Sequence, residues 1–334
     1  LVSCPRGING AIAIPNSVTT IDDFAFSDCV GISSITIPYG VKSIGEMAFI
    51  GCTGLTNIFI PGSVINLGGS YDDYGNFIIN VFSSCTSLTN INVDSANTVY
   101  SSVDGILYSF DKTLLMTCPQ GKTTALTFPD NVINIGAFAF DNCNLLTSII
   151  IPNSVTSIGE LAFAGCTGLS TITIPGSVTS IGSGAFYNTA WYDEKSDGIV
   201  YAGKVVYEYK GIMPANTQIT LLSDTVGIAD LAFNSYCGLT SINIPDSVRV
   251  IGRSAFWCCT GLTSITIPTN VTIISEAVFG GCTGLTSVNI PESVTKIDSI
   301  AFDGCTSLVN IVIPNSVTNI SQDAFHGCTE LISV

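Results

Sequence analysis

A repeat solenoid is the fold class this sequence predicts, and three observations predict it. Prolines recur every 23 residues: Pro15, Pro38 and Pro61, then Pro129, Pro152 and Pro175, then Pro245, Pro268, Pro291 and Pro314. Eleven Ala‑Phe or Val‑Phe pairs keep the same register, from Ala25‑Phe26 to Ala324‑Phe325. Nine cysteines each stand three residues after the Phe of such a pair. Self-similarity at a fixed short period marks a chain in which one supersecondary unit is stacked many times.

Composition sets the outer bounds. The 334 residues are 46% apolar and only 10% charged, too hydrophobic for a disordered chain. Ser, Thr, Asn and Gly interrupt every apolar run, so no transmembrane segment is expected. Ten Lys and Arg against 25 Asp and Glu give a formal charge of −15, which repels phosphate backbones and acidic lipid and argues against nucleic acid as a partner. The chain opens on Leu1 and closes on "ELISV" within a repeat, which predicts a mature or excised piece of something longer. "LVSC" reads either as an N-terminal remnant or as the end of a lipoprotein signal with Cys4 acylated.

Averaged over its copies, the unit is L‑T‑x‑I‑x‑I‑P‑x‑S‑V‑T‑x‑I‑G‑x‑x‑A‑F‑x‑G‑C‑T‑x. The alternating L‑x‑x‑I‑x‑I matches the strand signature of a leucine-rich repeat. The expected architecture is a single leucine-rich-repeat solenoid over residues 1–334, a right-handed superhelix with short parallel strands on its concave face and short helical or irregular convex segments. In the coil beginning at Leu169, the side chains of Leu169, Ile172, Ile174, Val178, Ile181 and Phe186 turn inward. So few apolar groups cannot offset the entropy of ordering a whole coil, so each coil folds only against neighbours about 4.8 Å away.

Proline closes the strand because it has no N–H for the ladder, and the glycine after the next Ile tolerates the tight corner. Acidic residues then recur before the Ala‑Phe pair: Asp23, Glu46, Glu160, Asp230 and Glu276. They fit a calcium-binding or docking stripe, or the first turn of a short convex helix, where negative charge is favoured. The helix is the preferred reading.

The regular cysteines are Cys29, Cys52, Cys85, Cys143, Cys166, Cys259, Cys282, Cys305 and Cys328. Secreted proteins often carry disulfide frameworks, but equivalent residues one coil apart have parallel Cβ vectors about 4.8 Å apart, wider than a disulfide spans. A structural ladder of free, buried thiols is expected instead. Zinc is disfavoured because ladder spacing is wide and His326 is the one histidine. No other cofactor motif is present. Cys4, Cys118, Cys237 and Cys258 lie off the ladder, and a Cys237 to Cys258 bond is left open.

The period breaks twice, over residues 62–128 and 187–231, and both stretches are expected to be inserted β-hairpin modules. In the first, "GSYDDYGNF" lengthens one coil, and a hairpin is expected to turn at Asp111‑Lys112. In the second, "DGIVYAGKVVYEYKG" alternates as a hairpin with its turn near Ala202‑Gly203. Together they hold nine of the eleven Tyr, and Trp191 besides. Most should anchor the hairpins. Tyr71, Tyr74, Trp191 and Tyr192 lie outside the alternating runs and are expected to be exposed for a partner. On the concave face, residues alternating with buried Ile must point outward. They include Thr171, Thr173, Asn243 and Asn289, with Phe59, Ile150 and Val312 as apolar exceptions.

The strings "IPNSVTSIGELAFAGCTGLSTITIP", "YSSVDGILYSFDKTLLMTCPQGKT" and "AWYDEKSDGIVYAGKVVYEYKG" resemble the BspA-like surface proteins of bacteria, which carry Treponema-type leucine-rich repeats. The resemblance spans nearly the whole chain. It implies an exported, extracellular or cell-surface bacterial protein involved in adhesion to host matrix proteins or other cells, with related repeats in some protists. It carries no catalytic motif to transfer.

The expected function is therefore non-catalytic protein binding or adhesion through the concave face and hairpins. Carbohydrate binding is the alternative; it requires Trp191 and Tyr192 as an exposed platform, with Asp72, Asp73 and Asn76, or Asp193, Glu194 and Asp197, as polar partners. Catalysis is disfavoured: His326 sits in a corner position, "AFHGC", and no nucleophile-elbow or phosphate-loop motif accompanies it.

Overall fold

Alternating Ile and Leu residues form short strands that add one coil at a time, as a computed structural model of residues 7–71, 77–79, 81–123 and 126–333 describes. The chain forms two compact units, Leu1–Ile174 with Gly184–Glu194, and Pro175–Ser183 with Lys195–Val334. Each unit is a parallel-strand β-solenoid.

In the first unit, strands Asn9–Ala13, Gly31–Thr36, Asn57–Ile60 and Asn90–Val93 stack in parallel. Ile35 lies over Ile58, and Ile58 over Ile91. The register is therefore kept across this coil, although Asn57 and Asn90 are 33 residues apart rather than 23. A second parallel ladder follows each proline turn. Thr20–Ile21, Ser43–Ile44 and Asn66–Leu67 form one such run; Leu114–Thr117, Asn134–Ile135 and Ser157–Ile158 form another. The turns themselves close by bonds such as Val41 N–H to the Pro38 carbonyl, 3.1 Å.

The second unit repeats the scheme. Thr217–Thr220 pairs with Leu239–Asn243, and Ser264–Thr266 with Ser287–Asn289. Val205–Lys210, Gly227–Ile228 and Val250–Ile251 form a second ladder, as do Ile273–Ile274, Lys296–Ile297 and Asn319–Ile320.

The convex helix expected at the acidic residues is absent; the Ala‑Phe corner is a turn that forms a third ladder. Phe26 N–H donates to the Ala48 carbonyl at 2.7 Å, Phe140 to Ala162 at 2.7 Å and Phe256 to Val278 at 2.9 Å. Donors that a helix would satisfy within the coil are spent on the next coil. Two left-handed residues per corner, four apart, impose this course: Met47 (φ 50°) with Gly51 (φ 72°), Leu161 (φ 51°) with Gly165 (φ 70°), and Ala277 (φ 54°) with Gly281 (φ 71°). Right-handed helix cannot run through such a pair. Glycine after the corner Ile serves close stacking rather than bending: a Cβ on Gly159 would lie 2.5 Å from the Ala137 nitrogen.

Inside each unit the Phe side chains form a column of stacked rings. Centroids lie 5.2 Å apart for Phe26 and Phe49, and 4.7 Å for Phe140 and Phe163. In the second unit Phe233, Phe256, Phe279, Phe302 and Phe325 stack at 5.3–5.6 Å. The cysteines stand beside this column. Cys52 Sγ donates to the Phe26 carbonyl at 3.1 Å, Cys166 to Phe140 at 2.9 Å and Cys282 to Phe256 at 3.0 Å. All nine ladder cysteines are free thiols, Cys328 half-buried and the rest buried.

The interruptions are antiparallel. Tyr100–Val103, Ile106–Ser109 and Leu114–Thr117 form a meander. It turns at Asp104‑Gly105 as well as near Asp111‑Lys112. Its last strand opens the next ladder, so the segment is built into the coil wall. Gly198–Ala202 and Val205–Lys210 form the second hairpin, turning at Gly203‑Lys204, and Val205 and Val206 continue in parallel to Gly227 and Ile228. Gly69–Tyr71 pairs with Phe77–Ile79. Cys4, Asp72, Asp73, Tyr74 and Asn76 lie outside the described residues, as does the side chain of Tyr71.

Candidate interaction surface

The strand period places one residue in two outside each coil. In the second unit, Gln218, Thr220, Asn243, Ser264, Thr266, Ser287 and Asn289 face solvent. Gln218, Thr220, Ser241, Asn243, Ser264 and Thr266 line a shallow depression of about 380 Å³, with Ile219, Ile242, Ile244 and Ile265 at its base and edge. Its polar lining is hydroxyl and amide, without an ionisable group. Between these positions, hydroxyls turn to the backbone instead: Thr240 and Thr286 each donate to a carbonyl of the preceding coil at 3.0 Å.

The first unit presents Ser34, Thr36, Asn57, Asn92, Ser148, Thr171 and Thr173 in the same way. Asn90 donates to the Asn57 side-chain oxygen at 3.0 Å. Phe59 is 42% exposed and Ile150 72%, and in the second unit Val312 is 78% exposed. This neutral polar face, with isolated apolar points, presents hydroxyl and amide donors and acceptors to solvent.

The aromatic positions differ from expectation. Trp191 is not exposed. Thr189 caps the short helix Ala190–Asp193 by accepting the Tyr192 N–H at 3.1 Å, and Trp191 N–H donates to the Leu169 carbonyl at 2.8 Å. This capped turn rotates the indole inward to 4.9 Å from the Phe186 ring, where it ends the Phe column. Trp191 is 8% exposed and Tyr192 half-buried, so they form no platform for a sugar ring. Other insert tyrosines are anchors: Tyr100 accepts the Leu67 N–H at 3.0 Å, and Tyr201 accepts that of Leu222 at 3.1 Å. Exposed instead are Tyr39 and Tyr187, 66% and 64%, and Ile212, 93%. For Tyr39 the signal was available, since the position after a turn proline points out.

His326 Nδ1 lies 2.7 Å from Asp303 Oδ1, and this bond raises the imidazole above its ordinary value. Burial pushes the thiols of Cys85, Cys259 and Cys305 up to about 12, which keeps them protonated and poorly nucleophilic. Cys237 and Cys258 are not bonded to each other. Among the described residues, no group of three or more His, Cys, Asp and Glu is arranged to hold a metal ion, and no helix is long and apolar enough to cross a membrane.

Stacked coils, a Phe column and a neutral strand face together define a leucine-rich-repeat solenoid. The BspA-type leucine-rich repeat region, in six copies, matches residues 9–104, 80–194 and 208–332, and the chain belongs to that family. Solved structures with similarity include a leucine-rich cell surface protein of Faecalibacterium prausnitzii, 26% identical, covering 96% of this chain and 91% of that one, TM-score 0.40. A leucine-rich repeat protein of Bacteroides ovatus is 26% identical over 96% and 85% of the two chains, TM-score 0.40. The T. pallidum leucine-rich repeat protein is 24% identical over 72% and 90%, TM-score 0.28. None of the curated proteins compared with the chain matches it.

Proposed function

We propose that the chain is a non-catalytic protein-binding or adhesion module, displayed at a bacterial cell surface or secreted, which binds a host matrix protein or another cell through its strand face. The observation that carries this reading is the neutral depression between Gln218 and Thr266. It offers many modest hydrogen bonds and no acid or base, which suits recognition of a polar protein surface. Membership of the BspA-type family supports a surface role. Burial of Trp191 removes the platform that a carbohydrate reading required.

Excising residues 187–231 would not test this, because Val205–Lys210 supplies a ladder strand. Point substitutions on the face do. The full chain and its Asn243→Lys and Thr266→Lys variants are passed over immobilised collagen, fibronectin and laminin by surface plasmon resonance. The reading expects saturable binding to at least one, weakened tenfold or more in both variants. Binding that neither variant changes, or none to any matrix protein or cell, would overturn it.

A further inference from the structure

One coil of the second unit departs from the thiol ladder. Three residues after Phe233 stands Tyr236 instead of cysteine, and its hydroxyl donates to the Tyr209 carbonyl at 2.6 Å. The thiol appears one residue later, on exposed Cys237. In the next coil an additional thiol, the half-buried Cys258, precedes ladder Cys259 and occupies the left-handed corner (φ 56°), where other coils carry Gly, Asn, Asp or Ser. Two reachable thiols therefore fall in adjacent coils, outside the wall whose interior holds the ladder.

They are close. Cys237 Sγ lies 3.7 Å from the Cys258 carbonyl oxygen. That oxygen is about 2.4 Å from its own Cα, so the Cys237 sulfur is within roughly 6 Å of the Cys258 Cα. Cys258 Sγ leans over Gly281 of the following coil, so closing a bond to Cys237 requires the Cys258 side chain to rotate about its Cα–Cβ bond.

We propose that Cys237 and Cys258 are a reversible disulfide-forming pair, oxidised by low-molecular-weight disulfides while the ladder thiols stay reduced. The Cys237 thiolate attacks the disulfide of the oxidant, breaking its S–S bond and releasing one thiolate. The Cys258 thiolate then attacks the Cys237 sulfur of the mixed disulfide and expels the second. The protein loses two electrons and two protons, and the oxidant is reduced to two thiols. The new bond joins the coil that carries Ser241 and Asn243 to the coil that carries Ser264 and Thr266, two of the three around the depression. It does not depend on the identity of any partner.

The test incubates the reduced full chain with glutathione disulfide, followed by intact mass measurement and peptide mapping. The pair predicts a mass lower by about 2 Da and a single peptide linking Cys237 to Cys258, reversed by reduced glutathione. Cys258→Ser should stop at one glutathione on Cys237, and Cys237→Ser should give no link. A wild-type chain that stops at the Cys237 adduct, links any ladder cysteine, or remains reduced would overturn the proposal.

Discussion

Phe279 stands in the middle of the ring column of the second unit and is completely buried, with Phe256 at 5.6 Å and Phe302 at 5.5 Å. Phe325 is half-buried and has one ring neighbour in the column, Phe302 at 5.3 Å. Truncating a fully buried Phe to Ala costs about 3–5 kcal/mol, and each stacked pair accounts for about 0.5–1.5 kcal/mol of that. Phe279→Ala loses the whole side chain and two pairs. Phe325→Ala loses part of the burial and one pair, for about 1–2 kcal/mol. Because coils stabilise chiefly their neighbours, the loss should concentrate around the substituted coil. Native-state hydrogen exchange reads this coil by coil. Phe279→Ala should raise exchange most at the amides of Phe256 and Phe279, which bond to Val278 and Ala301. Equal losses for the two variants, or a uniform loss across the unit for either, would refute nearest-neighbour stacking as the source of stability.

Further outcomes follow from local geometry. Gly159→Ala forces a Cβ to within 2.5 Å of the Ala137 backbone nitrogen and should cost about 1–3 kcal/mol, whereas Gly176→Ala, with the Lys204 side chain 3.6 Å away, should stay within about 0.5 kcal/mol. Urea denaturation compares the two. The His326 imidazole should titrate above 6.5 by NMR because of its bond to Asp303, and Asp303→Asn should lower it. A raised folded-state value means that this pairing stabilises the fold fully below pH 6.5 and that its contribution fades as pH rises through the His326 value. Thr189→Ala should remove the cap on Ala190–Asp193, at about 1 kcal/mol, and increase quenching of Trp191 fluorescence by iodide.

The period, the parallel strands and the inward Ile, Phe and Cys were legible because each follows from strand alternation within a repeated coil. Corner conformation was not. Residues such as Phe24, Leu161 and Ile300 adopt positive φ with nothing in their identity to announce it. Hydrogen bonds to the next coil impose it, and those are a property of the stack. The acids before Ala‑Phe imitated a helix start for the same reason. Trp191 differs from the expected exposure because its environment, the end of the Phe column against the Phe186 ring, exists only once the coil is closed. The turn at Asp104‑Gly105 carried an ordinary Asp‑Gly signal. The outward Thr and Asn of the face could be read directly, but the depression depends on how three coils sit side by side.

Site-resolved thiol counting asks the central question, whether identical coils share one apolar interior with cysteine as reduced filler. The chain is labelled with iodoacetamide at pH 8, first native and then in guanidinium without reductant. Stacked coils predict prompt native labelling at Cys237, slow labelling at the ladder positions Cys29 through Cys305, and complete labelling of all of these once unfolded. Ladder cysteines that react freely in the native chain, or that stay blocked in the unfolded one, would contradict it.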